Sequence, residues 1–252
     1  MRLTGKIGRL AAGVLVLTIA TAGVALAAQT QAVDYYVKAK TLSKVEMAPV
    51  ALKIHTATAD PTSPNGIPSH AVRALINFDD DIDVDFRLKG LGKCAPSAIA
   101  TLSTAQAKAT CSRAIVGGGA AKVRIESEGS FLELRATVTA FNATREPGTG
   151  RPRLIIHGWQ PDTARVNQSV AVFKKSGAGA DYGMLLDMNI PLLLEGAAAM
   201  TDFRLTIGNG YQKGFVSARC HDSNRRIDMK TRYYFQDDTS LPASDYELCK
   251  RK

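Results

Sequence analysis

Residues 131–141 constrain the fold more than any other stretch. Leu132, Leu134, Ala136, Val138 and Ala140 alternate with Glu133, Arg135, Thr137 and Thr139. A period of two puts one set on each face of an extended chain, whereas a helix would scatter both sets around its axis. The pattern returns in Val50, Leu52 and Ile54 against Ala51, Lys53 and His55, and in Ile82, Val84 and Phe86 against Asp81, Asp83, Asp85 and Arg87. Val123 and Ile125 alternate with Lys122, Arg124 and Glu126, and Phe203, Leu205 and Ile207 with Asp202, Arg204 and Thr206. One buried and one wet face per strand points to antiparallel sheets.

Turn residues separate these runs: Asp60-Pro61, Pro64-Asn65-Gly66, Pro147-Gly148 and Gly208-Asn209-Gly210. Gly117-Gly118-Gly119 is read in the same way, as a tight loop between strands. About ten strands fit between 33 and 235, which predicts an all-β fold, an antiparallel β-sandwich with the jelly roll as one arrangement of it. One helical exception is expected near 95–110. Pro96 opens a turn, and Ser103 with Gln106 three residues on forms a capping box before an Ala-rich stretch. A second candidate of about one turn spans 195–200, after Pro191. From Gln236 onward the chain is polar and expected at the surface, held by Cys249. No linker divides residues 28–252, so a single domain is expected.

Residues 1–27 read as a secretory signal peptide. Arg2, Lys6 and Arg9 precede an uncharged run from Leu10 to Ala28, and Ala25-Leu26-Ala27 supplies a small-x-small cleavage pattern. The same run is just long enough to be retained as a membrane anchor. Cleavage implies a secreted, extracellular protein, with cell-wall association as one form of it. The 32 basic and 23 acidic residues give +9; without the leader, 29 against 23 leave +6. That balance favours anionic cell-wall polymers or envelope proteins as partners. No basic helix, zinc finger or aromatic–basic motif points to nucleic acid. Four cysteines, Cys94, Cys111, Cys220 and Cys249, suit two disulfides in an oxidising compartment. Three pairings are possible; Cys94–Cys111 with Cys220–Cys249 closes the two local loops.

The markers Gly90-Leu91-Gly92-Lys93-Cys94, Cys111 through Val116-Gly117-Gly118-Gly119, Ile155-Ile156-His157-Gly158 and Ala218-Arg219-Cys220 occur in that order. Their order resembles a group of secreted proteins of high-GC Gram-positive bacteria. In that group a G-L-x-x-C element precedes C-x-x-x-x-V-G-x-G across a short Ala-rich segment. Gly92 stands where the group usually has Pro. The resemblance implies a secreted β-rich domain with a disulfide at 94–111, and it carries no functional residues across.

Chemistry is sparse. The chain has no G-x-S-x-G elbow, H-E-x-x-H helix, P-loop or G-x-G-x-x-G turn. His55, His70, His157 and His221 are scattered, and no metal or other cofactor is expected. Asp81, Asp83 and Asp85 are read as one solvated strand face, and Trp159 as a core residue between sheets. Glu126 and Glu128, with Glu133 nearby, are the best candidates for a glycosidase carboxylate pair. Arg225, Arg226, Lys230 and Arg232 form the candidate anion-binding cluster, with Lys250, Arg251 and Lys252 beyond. The expected function is therefore a secreted, non-enzymatic protein that binds anionic envelope polymers or envelope proteins. The alternative is a secreted polysaccharide hydrolase or lectin-like carbohydrate-binding domain.

Overall fold

The structure, a computed structural model, describes residues 29–39, 41–63, 66–127 and 130–251. The expected leader and Glu128 lie outside them. The strands are β1 (Thr30–Lys38), β2 (Ala48–Pro49), β3 (Ala51–Ala59), β4 (Ala71–Asp79), β5 (Ile82–Val84), β6 (Ile115–Ser127) and β7 (Ser130–Asn142). They continue with β8 (Arg153–Gln160), β9 (Arg165–Lys175), β10 (Tyr182–Asn189), β11 (Ala198–Gly208), β12 (Val216–Ala218), β13 (Arg226–Phe235) and β14 (Ser240–Leu248). Helices α1 (Pro96–Ile99) and α2 (Thr104–Thr110) sit between β5 and β6.

The all-β antiparallel class read from the alternation is the observed one. An 11-stranded sheet runs β1-β3-β11-β6-β7-β8-β9-β10-β4-β13-β14 and curls until its two edges lie side by side. At that seam the Tyr35 amide of β1 donates to the Asp245 carboxylate of β14 at 2.7 Å. A small sheet, β2-β12-β5, packs its Ile82, Val216 and Ala218 into the same core. Leu52, Ile54, Val138, Ala140, Leu205 and Ile207 point inward, as their spacing requires. Burial of such side chains, each removing about 1.5–3 kcal/mol worth of apolar contact with water, favours the closed sheet. The polar segment after Gln236 becomes β14, whose Pro242, Ser244, Tyr246 and Leu248 are exposed.

The helical exception is present. The Ser103 hydroxyl accepts from the Gln106 amide, and the Gln106 side chain accepts from the Ser103 amide at 3.0 Å, which completes the capping box. The Cys94–Cys111 disulfide, Cα atoms 5.5 Å apart, holds α1 and α2 on the outer face of β7 and β8. Ile99 and Ala107 there cover Phe141 and Ile155. This lid buries outward-facing residues that alternation alone assigns to solvent. His157 is one of them: burial lowers its pKa, and Nε2 donates to the Leu102 carbonyl at 3.0 Å. The second helical candidate shrinks to one 3-10 turn at Leu194–Gly196, and Ala198 already begins β11.

Strand packing overturns the readings of Gly117–Gly119 and of Trp159. Gly117–Gly119 is no loop but the interior of β6, between β7 and β11. A Cβ on Gly119 would lie 1.8 Å from the Arg204 carbonyl oxygen, and one on Gly118 would lie 2.6 Å from the Tyr211 hydroxyl. The glycines therefore serve close approach of neighbouring chain rather than a turn. Gly119→Ala is expected to lower stability by about 1–3 kcal/mol through overpacking. Denaturant titration checks it; an unchanged midpoint would mean that β6 and β11 separate freely. Trp159, for its part, is not between layers. It lies half-buried on the outer face of β8, because Ile156, Gly158 and Gln160 take the inward positions.

Candidate functional site

Strand β13 alternates cleanly. Ile227, Met229, Thr231, Tyr233 and Phe235 are buried, which sends Arg226, Asp228, Lys230, Arg232 and Tyr234 outward. Three of the four predicted cationic residues thus share one face. Arg225 does not join them: it sits in the preceding turn with φ of 58°. Arg226 lies at the far end of the face, paired with Asp228 at 2.8 Å and stacked 3.8 Å from the centre of the Tyr246 ring. Of the terminal basic residues, Arg251 is structural. Its guanidinium donates to the carbonyls of Cys220, His221 and Asp222.

Cross-strand register supplies what sequence spacing hides. Lys230 stands opposite Asn77 of β4, Asn77 opposite Leu185 of β10, and Leu185 opposite Lys174 of β9. In the next row, Arg232 stands opposite Leu75, and Leu75 opposite Asp187. Tyr234 stands opposite Arg73. The outer face of β9, β10, β4 and β13 therefore carries Lys174, Arg73, Lys230 and Arg232, with the carboxylates of Asp187 and Asp228 among them. Arg73 binds Asp187 through two parallel hydrogen bonds of 2.8 Å, and Lys174 reaches it at 2.6 Å. These donors, the Arg73 fork first, hold the Asp187 carboxyl down at about 2. Among the described residues neither Lys230 nor Arg232 has an ion-pair partner. Lys230 rests 4.8 Å from the Tyr182 ring centre, and Arg232 donates to Ser240 at 3.3 Å. Arg73 and Lys174 come from other strands, more than fifty positions away in each case, so no local motif marks them.

The acidic run does something else. Asp81, Asp83 and Asp85 do not share a wet face, because the chain turns after β4 and Asp81 is wholly buried. Its oxygens accept from Arg219 Nε at 2.7 Å and the His221 amide at 2.6 Å. Asp79, also buried, accepts from the amides of Asp81 and Asp228, each at 2.8 Å. Carboxylate oxygens of Asp79, Asp80 and Asp81 come within 4.8 Å of one another, the geometry of a cation site. Yet all four oxygens of Asp79 and Asp81 already have donors, so this cluster ties β4 to β12 and β13. Burial pushes the Asp79 carboxyl up to about 7, against the pull of its two amide donors.

Of the carboxylates proposed for glycan cleavage, Glu128 lies outside the described residues. Glu126 is exposed near the end of β6, and Glu133 pairs with Lys122 at 3.1 Å. His55 bridges β1 and β11 from β3, with its two ring nitrogens 2.8 Å from Asp34 and Asp202. His221 is exposed beside Asp222. Both disulfides favoured from spacing are present; Cys220 and Cys249 have Cα atoms 6.0 Å apart. Among the described residues, no helix is long and apolar enough to cross a membrane. The chain matches no protein-family model and no curated protein.

Proposed function

We propose that this is a non-enzymatic, secreted protein that binds anionic cell-envelope polymers on the outer face of β9, β10, β4 and β13. The observation that carries the reading is the placement on that one face of four cations, Lys174, Arg73, Lys230 and Arg232, against two carboxylates, Asp187 and Asp228. A repeating polyanion needs cations at regular spacing on a firm support. Adjacent strands provide that support at about 4.8 Å intervals. Unpaired Lys230 and Arg232 have no carboxylate to release before they engage a ligand. Two disulfides fit an oxidising compartment, which agrees with exposure to the envelope. The leader pattern at 1–27 supports the same compartment.

Retention of the protein on purified envelope across a salt series tests the reading. Retention is expected at low salt and should fall as the Debye length shrinks from about 30 Å at 0.01 M to about 10 Å at 0.1 M. Lys230→Glu with Arg232→Glu should weaken retention at least tenfold at low salt without changing the unfolding midpoint by much. Absence of retention at low salt, or equal retention of the double variant, would remove this face as a binding surface.

A further inference from the structure

The helical lid lies in the longest acid-free stretch of the chain. No Asp or Glu occurs between Asp85 and Glu126, whereas Arg87, Lys89, Lys93, Lys108 and Arg113 fall between β5 and β6. All five are exposed, and among the described residues none has an ion-pair partner. Backbone contacts draw three of them together. The Gly92 amide donates to the Arg113 carbonyl at 2.7 Å, and a Cβ on Gly92 would lie 2.9 Å from the Arg113 Cβ. Arg113 is thereby set beside the residue that precedes Lys93. Its guanidinium donates to the Gly90 carbonyl at 3.5 Å, next to Lys89. The Cys94–Cys111 bridge closes this segment on itself, so the cations stand on a firm support.

Backbone bonds and strand register then lead from the lid to the basic outer face. Cys94 bridges Ala143, and the Thr144 amide donates to the Cys94 carbonyl at 2.9 Å. The Ala143 amide donates to the Arg153 carbonyl at 3.0 Å. Arg153, the first residue of β8, stands opposite Val172 of β9. Lys174 follows two positions along β9, on the same side of the sheet. From Lys174 the register runs through Leu185 and Asn77 to Lys230. The acids beside this path are few. Glu146 pairs with Arg151 at 3.9 Å, and the Asp85 carboxylate accepts from the Arg87 amide at 2.8 Å. Asp187 and Asp228 lie on the outer face itself. Crossing from β13 to β8 takes four strand spacings, about 19 Å at ~4.8 Å each, and the lid lies beyond.

We propose that the outer face and the lid form one continuous track for a linear polyanion, which touches Lys230 and Arg232 at one end and Lys93 and Arg113 at the other. The inference rests on the reading of the outer face given above. It adds the form of the partner, an extended polymer rather than a small anion. A small anion engages one end only. A chain bound at one end presents its remainder to the other end at high effective concentration, so affinity grows with length until the track is spanned.

Calorimetric titration of the full-length oxidised protein at low salt tests the proposal, with long-chain inorganic polyphosphate as the long probe and tripolyphosphate as the short one. The long chain is expected to bind at least tenfold tighter per phosphate. Lys93→Glu with Arg113→Glu should weaken long-chain binding at least tenfold. Lys38→Glu with Lys53→Glu makes the same change of charge at exposed positions of β1 and β3, away from the track, and should weaken it far less. Should charge reversal disturb the lid, seen as a shifted unfolding midpoint, Lys93→Gln with Arg113→Gln repeats the test. Equal weakening by the lid pair and the β1–β3 pair would reduce the effect to net charge and overturn the proposal. Undiminished binding by the lid variant, with binding lost in Lys230→Glu plus Arg232→Glu, overturns the track but leaves the outer face as the binding surface. Undiminished binding by that last variant overturns both.

Discussion

Replacing Cys220 and Cys249 with serine is expected to lower the unfolding free energy by about 3.6 kcal/mol. The figure is the chain-entropy value for a closed loop of 29 residues. The bridge joins the segment after β12 to the end of β14, so it fixes the last strand of the main sheet to the small sheet. Both sulfurs are buried, and Arg251 reinforces the junction through the Cys220 carbonyl at 2.9 Å. Cys94–Cys111 closes a shorter loop, 17 residues, and its removal should cost about 3.1 kcal/mol. Its effect should fall on the helical lid rather than on closure of the sheet. Urea titration of the two double-serine variants measures both. A loss below about 1 kcal/mol for the first would show that Arg251 and the β13 pairing hold the end without the bridge.

The contribution of Asp79 to stability should fall as pH rises from about 4 to about 7, while the buried His70 and His157, whose pKa values burial lowers, work in the opposite direction. The folded pKa of Asp79, near 7, lies above the unfolded value of 3.8. Between the two the folded chain holds a proton that the unfolded chain has released. Stability from this group is therefore complete below the unfolded pKa and is lost as pH rises through the folded one. The slope approaches about 1.4 kcal/mol per pH unit. Across the window this amounts to roughly 4 kcal/mol. Asp187 works at the other end. Its depressed carboxyl stabilises the fold above about pH 4, and that contribution is lost as pH falls towards 2. Asp79→Asn keeps the shape and removes the titration. Its unfolding free energy should lose the falling component that Asp79 gives the parent, although the amide can accept only one of the two backbone bonds. A parallel slope in both proteins would assign the effect to other groups.

Much of the fold is legible because a strand with one wet face writes its orientation into every second residue. Residues 134–140 illustrate this, and Ser103 with Gln106 shows that a cap can be read with equal directness. The cysteine pairing was legible because each pair lies close along the chain. What escaped depends on neighbours distant in sequence. Gly117–Gly119 looks like a loop until β11 is known to pass 1.8 Å from where a side chain would begin. Trp159 looks like core until the inward positions of β8 are seen to be held by smaller residues. Asp81 looks like part of a solvated row until Arg219 and His221 arrive from the segment after β12 to bury it. The candidate site divides in the same way. Lys230 and Arg232 could be picked out because they are two apart on one strand. Arg73 and Lys174 are brought beside them only by strand order, which no local pattern encodes.

The Tyr35–Asp245 contact joins positions 210 apart, and it sets the schedule on which the molecule can be made. Small proteins dominated by such distant pairings assemble over milliseconds to seconds rather than microseconds. As the chain emerges from its N-terminal end, β1 and β3 appear first and the strand that lies beside β1 appears last. Until then an unpaired strand edge is open to any other growing chain. The interval before β14 arrives is thus the period of greatest exposure to mispairing, and crowding or slow delivery of the last segment lengthens it.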